Sequence, residues 1–230
     1  LQPVYRLAVE HFETEPDQAD DTRPLREKRL AAHLVTFYWR GHYNLEQDDS
    51  LIRRFFLVAP DKIRAEAIEH IGRSLERTAQ PIEPMILDRL QRLWLWRLGV
   101  CRQDPGNHQA ELKAFGWWFS SGQSDAIWAL NQLQDVLSLA GGVDPDYLVL
   151  EQLAEKAEVF PQEVLTCTRL LIEGQPDLLE IVGWAKDLRV IFTHTGQHQS
   201  PEIWHTSNEI IQILGRRGDL GYRDLLHPQN

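Results

Sequence analysis

The chain has 230 residues, of which 43% are hydrophobic, and its 34 acidic residues outnumber 24 lysines and arginines to give a net charge of −10. This length and composition suffice for one large or two small domains. The negative balance disfavours a general nucleic-acid or anionic-membrane surface. No signal peptide or long apolar run occurs, so we expect a cytoplasmic protein that makes no membrane contact.

Helical periodicity runs through the whole chain. Apolar residues recur at three- and four-residue steps in blocks that Gly, Pro and Asp separate, and no stretch alternates as a strand does. The pattern predicts helices at residues 3–11, 23–40, 47–58, 61–77, 84–102, 109–121, 124–140, 145–158, 161–173, 177–195, 201–215 and 220–227. We therefore predict an all-α fold, built either as a solenoid of stacked antiparallel hairpins of the HEAT or TPR kind or as an irregular helical bundle.

Capping residues set the predicted helix ends. Ser124 and Ser200 are placed as N-caps of their helices. Glycines occupy the positions expected just past helix ends, at Gly122, Gly141, Gly174, Gly196 and Gly215.

A weak internal sequence repeat, called the sequence echo below, favours stacked hairpins. The matched pairs are Gly122 and Gly196, Trp128 and Trp204, and Tyr147 and Tyr222, which are 74, 76 and 75 residues apart. Two helix pairs per interval gives about 37 residues per pair, which is within the range of helical solenoid repeats. We expect Trp128 and Trp204 to be equivalent buried anchors of two repeats.

The best internal break lies at residues 103–108, where Asp104-Pro105-Gly106 predicts a turn. It predicts an N-terminal helical subdomain at residues 1–104 and a C-terminal helical-repeat subdomain at residues 105–230, unless the two form one continuous domain. Charge is uneven along the chain, with a net +4 over residues 50–102 and −10 over residues 103–180. The first residue is Leu1 and the only methionine is Met85, so we expect a piece of a longer protein.

The helix predicted at residues 84–102 is apolar on nearly every side. It contains the run Leu93-Trp94-Leu95-Trp96, and helices of this kind are normally buried. We interpret it as the central helix of the domain or as a helix that contacts a partner. Arg53, Arg54, Trp94 and Trp96 are accordingly our candidates for interaction.

Residues suited to metal binding occur near the C-terminus. His194, His198 and His205, with Asp187 upstream, have the ligand types that zinc prefers. Because His194 and His198 lie on either side of Gly196, a shared helical face is disfavoured, and a polar turn is the favoured interpretation. We predict no metal and no cofactor.

Catalytic motifs are not evident in the sequence. It contains no Gly-x-Ser-x-Gly elbow, phosphate-binding glycine loop or Cys-x-x-Cys pair. Cys101 follows Arg97 and precedes Arg102, which would lower its thiol pKa, but no placed histidine accompanies it, so core packing is favoured. Cys167 is interpreted in the same way. We predict no catalytic residue, and a non-catalytic role is favoured while an enzyme stays open.

The main enzymatic alternative rests on eight tryptophans and the arginines of residues 50–102. This combination is similar to that of helical-repeat alkylpurine DNA glycosylases, which implies aromatic platforms for a base and one carboxylate near the sugar. No motif of this chain maps onto those residues, and the net charge is of the wrong sign.

A second resemblance covers about half the chain. The segments that carry it are Phe-Gly-Trp-Trp-Phe-Ser-Ser-Gly at residues 115–122, Leu-Leu-Ile-Glu-Gly at 170–174, Gly-Trp at 183–184, Leu-Gly at 214–215 and Tyr-Arg-Asp-Leu-Leu at 222–226. They resemble the helical C-terminal regions of large bacterial multidomain proteins, including NTPases and effectors of phage defence. The resemblance implies a sensor or scaffold region whose enzymatic module lies upstream.

From these patterns we expect a protein-interaction or regulatory domain that is not catalytic on its own. Its expected partner is a protein, either another domain of the same parent chain or a second copy, whereas nucleic acid is disfavoured. The alternatives are a helical nucleic-acid enzyme such as a DNA glycosylase and a plain oligomerisation domain.

Overall fold

The computed structural model describes residues 45–78 and 82–226, with the backbone alone for residues 45–51, and it also describes Glu10, Arg29, Ala32 and Thr36. Apart from those four residues, the helices predicted at residues 3–11 and 23–40 lie outside the described residues. Every regular element in the described ranges is helical and no strand occurs there, which confirms the predicted all-α class. None of the described helices combines the length and apolar character that a membrane span requires.

The elements follow one another with short connections. In chain order they are α1 (Leu45–Val58), α2 (Asp61–Glu76), α3 (Pro84–Cys101), a 3₁₀ turn (Pro105–His108), α4 (Gln109–Lys113), α5 (Phe115–Ser120), α6 (Ala126–Ala140), α7 (Asp146–Lys156), α8 (Pro161–Gly174), α9 (Leu178–Gly183), α10 (Ala185–Gly196), α11 (Pro201–Arg217) and a last 3₁₀ turn (Arg223–Leu225). The helix predicted at residues 220–227 is therefore only this last turn in the described part.

Two predicted helices are each divided in the structure. The segment at residues 109–121 bends at Ala114 into α4 and α5, and the segment at residues 177–195 bends at Trp184 into α9 and α10. Trp184 has ψ 0°, so the chain changes direction there, and its indole is buried. Burial of a large side chain thus outweighs the local preference to continue the helix.

Helix ends follow side-chain chemistry with small shifts from the prediction. The N-cap of α6 is Asp125 rather than Ser124, and its Oδ1 accepts the backbone N–H of Trp128 at 2.9 Å. Ser200 precedes α11 as predicted, but its side chain makes no capping hydrogen bond.

Glycines in the left-handed region follow three of the described helices. Gly122 has φ 66° just past the end of α5, as predicted. Gly141 has φ 67° after α6, as predicted, whereas α11 continues through Gly215 and ends at Gly218 with φ 103°. A side chain is disfavoured at such φ values, which is why glycine closes these helices.

The chain divides into two compact units, Leu1–Gln123 and Ser124–Asn230, called the N-terminal and C-terminal units below. The division lies after α5 and not at the predicted break at residues 103–108. The turn at Pro105–His108 is thus internal to the N-terminal unit, and contacts described in the next section hold it there.

The N-terminal unit is built on α2, which packs against α4 and α5. An aromatic cluster fills its core: the Trp94 ring stacks on Phe115 with centroids 4.3 Å apart, and Trp118 lies 6.0 Å from Trp94. Helix α3 is not buried on every side as expected, because Leu95 is exposed. Only the face of α3 that carries Trp94 reaches the core.

The C-terminal unit stacks alternate helices. Helix α8 packs on α6 and on α11, while α7 packs on α10. This packing is compatible with both predicted arrangements, the solenoid-like stack of hairpins and the irregular helical bundle. The core that results is dominated by branched aliphatic side chains, including Leu133, Val136, Leu150, Val164, Leu165, Leu188, Ile191, Ile210 and Leu214.

The positions paired by the sequence echo are only partly equivalent in the structure. Trp128 and Trp204 lie near the starts of α6 and α11, but both are half-buried rather than the core anchors expected. The two tyrosines differ more, since Tyr222 is 2% exposed and Tyr147 is 58% exposed. The echo thus marks similar local elements, whose side chains have different environments.

Candidate functional site

A cluster of ionisable side chains is enclosed within the N-terminal unit. Helix α2 contributes Asp61 and Arg64, α3 contributes Arg97 and Cys101, the 3₁₀ turn contributes His108 and α4 contributes Glu111. We call these six residues the ionic cluster. Ionisable residues are rarely buried unless they are paired, so their arrangement indicates what the cluster does.

Glu111 is the centre of the cluster and has no solvent exposure. Its Oε2 accepts Arg64 Nε at 2.6 Å, and its Oε1 accepts Arg97 Nε at 2.6 Å. Arg97 also donates a second bond from Nη2 to Oε2 at 2.8 Å, which makes this pair bidentate. The carboxylate thus joins one arginine of α2 to one of α3 by charge-assisted bonds.

The guanidinium of Arg64 spreads across several acceptors. Nη1 donates to the carbonyl oxygen of Ala59, and Nη2 lies 3.2 Å from the carbonyl oxygen of Asn107 and 3.3 Å from Asp61 Oδ1. His108 Nδ1 lies 2.9 Å from the same Nη2 and accepts from it when the ring proton is on Nε2. Arg64 therefore fastens the 3₁₀ turn to α2.

Asp61 caps a helix to which it does not belong. Its Oδ2 accepts the backbone N–H of Ala110 at 2.8 Å, and its Oδ1 accepts that of Glu111 at 3.1 Å. The first N–H groups of a helix have no partner within the helix and favour a negative charge. A carboxylate at the start of α2 thus stabilises the start of α4.

Three members of the cluster have metal-ligand chemistry. The Cys101 thiol, the His108 ring nitrogen and a Glu111 oxygen lie within 4.8 Å of one another. However, both Glu111 oxygens are already bonded to Arg64 and Arg97, and His108 Nδ1 faces Arg64. A divalent cation there would replace these bonds and lie beside two guanidinium charges, so the side chains fit an ion-pair network better than a metal site.

Cys101 is not activated as a nucleophile by this environment. Burial and, after it, the negative charge of Glu111 raise the pKa of its thiol to about 12, although Arg97 opposes both effects. The thiolate is the reactive form, so the thiol is inert near neutral pH. Cys167 is also buried, and burial likewise raises its pKa to about 12.

The ionic cluster explains why the chain does not divide at residues 103–108. Arg64 and Arg97 hold Glu111, and Asp61 holds the start of α4, so the segment after the turn is bonded to both α2 and α3. The arrangement therefore supports a structural role. The ionic cluster orients α2, α3 and α4 relative to one another and pairs its buried charges.

The predicted interaction residues separate into buried and surface positions. Trp94 is 0% exposed, so it is a core residue and presents no indole to a partner. Arg53 and Arg54 are exposed on α1, and Trp96 is half-buried. The guanidinium carbon of Arg53 lies 5.2 Å from the centroid of the Trp96 ring, which is a cation–π distance.

The predicted metal candidates are not brought together. Among the described residues, the one group of three ligand-type side chains close enough for an ion is in the ionic cluster, and it includes none of His194, His198, His205 and Asp187. His205 lies on α11, where its Nε2 is 3.4 Å from Glu209 Oε1. The interpretation of this region as a polar turn and helix surface is the simpler one.

A different feature of the C-terminal unit faces solvent. Leu179 and Val182 on α9, with Leu220 and Leu226 after α11, are all exposed. We call these four residues the C-terminal patch. The two segments that carry these residues approach each other at one point, where the Cδ2 atom of Leu178, next to Leu179, lies 3.7 Å from the Cβ position of Gly218, two residues before Leu220.

A groove continues the C-terminal patch along α11. It has a volume of about 410 Å³ and is lined by Ile211, Gln212, Gly215, Arg216, Arg223 and Leu226. The Cδ2 atom of Leu220 lies 3.9 Å from the Cβ position of Gly215, so the patch and the groove are neighbours. The surface thus combines apolar contact area with two arginines.

Sequence reasoning missed the centre of the ionic cluster. The predicted break at residues 103–108 includes His108, and the predicted helix at residues 109–121 includes Glu111. In the structure, His108 is a histidine close to Cys101, which the sequence does not indicate. The available signal was Arg97, a charged residue within the apolar run of α3. A buried arginine requires a buried acceptor, but no local pattern identifies which carboxylate supplies it.

Comparison of the chain with protein-family models, curated proteins and solved structures finds no match in any of the three.

Proposed function

We propose that this chain is a protein-interaction module that binds its partner through the C-terminal patch and is not catalytic on its own. The observation that carries the proposal is Leu179, a leucine on a well-packed unit that is nevertheless 80% exposed. Val182 on the same helix is exposed as well, as are Leu220 and Leu226 after α11. Contiguous exposed apolar surface is typical of binding sites, whereas scattered single residues are not.

The physical reason is the free energy of burying these side chains. Full burial of a leucine or valine is worth about 1.5–3 kcal/mol, so a few such residues supply the anchors of an interface. The unit does not need them for its own core, because α6, α8 and α10 already bury a continuous aliphatic interior. Their exposure is therefore consistent with a role outside the unit.

The positions of the tryptophans and the charge of the C-terminal unit make the glycosylase alternative weaker. Trp94, Trp118 and Trp184 are buried, and two described cavities, of about 260 and 410 Å³, have no tryptophan in their walls. The C-terminal unit also carries 16 acidic residues against seven lysines and arginines. Base-stacking platforms and a cationic groove are what single-stranded nucleic-acid binding requires.

We further propose that the partner belongs to a longer bacterial protein of which this chain is a regulatory or scaffold part. This extension rests on the resemblance of residues 115–226. A partner on the same parent chain would be held at high effective concentration, so a modest patch would suffice.

The test compares two sets of charge substitutions in the full chain. Leu179→Glu with Val182→Glu alters the C-terminal patch, and Val159→Glu is the control because Val159 is 69% exposed in the same unit. The control precedes α8 and the patch follows it, so they are separated by a helix of 14 residues, about 21 Å long. Circular dichroism should show that both variants keep the helical fold.

Tagged protein is used for affinity capture from an extract of the source organism, and each captured protein is then purified and titrated by calorimetry. We expect a partner that binds the parent and Val159→Glu equally and binds the Leu179→Glu/Val182→Glu variant at least tenfold more weakly. Sedimentation of the chain alone tests self-association at the same patch. A patch variant that matches the control in every assay, self-association included, contradicts the proposal.

A further inference from the structure

We propose that the groove beside the C-terminal patch binds an acidic peptide segment of the partner that carries a bulky apolar side chain. This inference rests on the proposed function and specifies the chemistry of the partner. It concerns the groove alone, the cavity of about 410 Å³ between α11 and the last 3₁₀ turn. That volume is within the range of about 300–1,000 Å³ typical of ligand pockets.

The apolar part of the groove is open because of a glycine. Gly215 is within α11, and a Cβ atom there would meet only Leu220 Cδ2, at 3.9 Å. Buried Ile211 and partly exposed Leu226 line the groove beside it. The open space above Gly215 can accept an apolar side chain that would leave water on docking.

The charge of the groove is opposite to that of its unit. Arg216 and Arg223 line it, and none of its described lining residues is a carboxylate. The unit as a whole has 16 acidic residues and seven basic ones, a net of −9. A local cationic site on an acidic surface selects an anionic ligand and repels a cationic one.

Two neighbouring arginines of this unit are paired with groups of the unit itself. Arg217 donates to the carbonyl oxygens of Ile172 and Gln175 at 2.6 and 2.7 Å, and Arg189 donates to Asp224 at 2.9 Å. For Arg216 and Arg223, no ion pair occurs with any other residue in the described part of the chain. Both guanidiniums are exposed and available to an external carboxylate.

The end of α11 does not cancel this attraction. The last carbonyl groups of a helix carry partial negative charge and disfavour anions. Here the carbonyl oxygens of Leu214 and Gly215 are already bonded to the N–H groups of Asp219 and Gly218, at 3.0 and 3.1 Å. The arginine side chains therefore dominate the field at the groove.

A peptide fits these features better than a small anion does. The groove continues into the exposed leucines of the C-terminal patch, so a bound segment can place one apolar side chain above Gly215 and further contacts on Leu220. Carboxylates on either side of that side chain would face Arg216 and Arg223. Bidentate pairing of guanidinium with carboxylate then fixes the orientation of the segment.

The experiment uses the full chain and a probe peptide, Asp-Glu-Leu-Glu-Phe-Asp-Glu-amide, that carries fluorescein on its N-terminal amine. Fluorescence anisotropy at low salt should show saturable binding that weakens as salt is added. A peptide with lysine at each acidic position should bind at least tenfold more weakly, as should a peptide with alanine in place of leucine and phenylalanine. Equal binding of the lysine peptide overturns the proposal, and so does the absence of saturable binding.

Variants locate the binding on the protein. Arg216→Glu with Arg223→Glu should reduce affinity at least tenfold, whereas Lys186→Glu, a matched charge change at an exposed position on α10, should have a smaller effect. Gly215→Met fills the groove and should also reduce affinity at least tenfold, while Gly215→Ala should leave it within about twofold. Competition by inorganic phosphate as effective as by unlabelled peptide would overturn the inference, because it would indicate a simple anion site.

The two proposals fail in different ways. If Leu179→Glu/Val182→Glu abolishes partner binding but the groove variants bind the partner and the probe as the parent does, the inference is wrong and the proposed function stands. If the probe binds as expected while no partner depends on the patch, the proposed function is wrong and the groove retains its anionic-peptide specificity.

Discussion

Glu111 is a residue whose environment tolerates little substitution. It has no solvent exposure, and its carboxylate accepts one hydrogen bond from Arg64 and two from Arg97. A buried ion pair contributes little net stability compared with an apolar replacement of the whole group. Loss of one partner is costly, however, because the remaining charges stay buried without compensation.

We predict that Glu111→Gln lowers the free energy of unfolding by about 3–5 kcal/mol, because two buried guanidiniums lose their shared carboxylate. The matched control is Asp88→Asn, which breaks an exposed pair with Arg92 on α3 and should cost about 0–1 kcal/mol. Urea unfolding followed by tryptophan fluorescence measures both. Equal midpoints for the two variants would show that the ionic cluster does not stabilise the unit.

Tyr222 is a buried residue whose hydroxyl has a strongly raised pKa. Burial raises the pKa of its hydroxyl from 10.0 to about 12, and Asp219 adds to the shift while Arg189 opposes it. The ring packs edge-on against Phe192 with centroids 5.3 Å apart, and the hydroxyl has no hydrogen-bond partner in the described part of the chain. The folded state therefore resists ionisation of this hydroxyl.

The sign of the pH effect follows from this raised pKa. Below pH 10 the hydroxyl is neutral in both states, whereas between pH 10 and about 12 it ionises mainly in the unfolded chain, so stability is lost as pH rises. Tyr222→Phe should lose less stability than the parent between pH 8 and pH 11 in urea unfolding, and Tyr147→Phe should behave as the parent. A parental pH profile for Tyr222→Phe would contradict the assignment of this pH effect to the buried Tyr222 hydroxyl.

At the scale of the element, close helix contacts depend on two glycines. A Cβ atom at Gly72 would overlap the backbone carbonyl of Trp117, so α2 and α5 touch through their backbones. In the C-terminal unit, a Cβ atom at Gly174 would overlap the carbonyl of Gly141, which places the end of α8 against the end of α6. Backbone atoms cannot rotate away as a side chain can, so substitution must separate the helices.

We predict that Gly72→Ala and Gly174→Ala each destabilise their unit by about 1–3 kcal/mol or more, as overpacking does. The control is Gly99→Ala in α3, where a Cβ atom meets nothing within 4 Å. That change should stabilise by about 0.5–1 kcal/mol, because alanine is the better helix former. Thermal unfolding measures all three, and similar melting temperatures for Gly72→Ala and Gly99→Ala would exclude direct backbone packing of α2 on α5.

At the scale of the whole molecule, the position of the division between the units decides which fragments can fold. The turn at Pro105–His108 resembles a boundary in the sequence, but Glu111 follows it and binds arginines that precede it. A fragment that ends at residue 104 leaves Arg64 and Arg97 without their carboxylate. A fragment that ends at residue 123 keeps the ionic cluster and the aromatic core together.

We predict that residues 1–123 and 124–230, expressed separately, each unfold cooperatively in urea. Residues 1–104 should instead show a broad transition with reduced helix content, since buried charges lose their partners and Trp94 loses Phe115. Circular dichroism and urea titration of the three fragments decide this. A cooperative transition for residues 1–104 at the midpoint of residues 1–123 would place the boundary at the turn instead.

The helices were predictable because their signals are local. Apolar spacing, prolines at first turns and glycines at ends lie within a few residues of the structure they specify, and the bounds of α2 and α3 differ from prediction by one residue at most. Bends at Ala114 and Trp184 were not predictable, since they arise when distant packing outweighs a continuous helical pattern. The candidate surface was not predictable either, because exposure of Leu179 depends on which neighbours cover it.

The sequence alone thus determined the all-α class, the approximate helices of the described ranges and the acidic character of the chain. Only the tertiary structure decided that Arg64, Arg97 and Glu111 meet, that the division follows Gln123, and that apolar side chains and two arginines share one surface. Helix formation depends on hydrogen bonds and side chains a few residues apart, whereas Arg64 and Glu111 are 47 residues apart. Contacts at that separation depend on how whole helices pack, which no local pattern encodes.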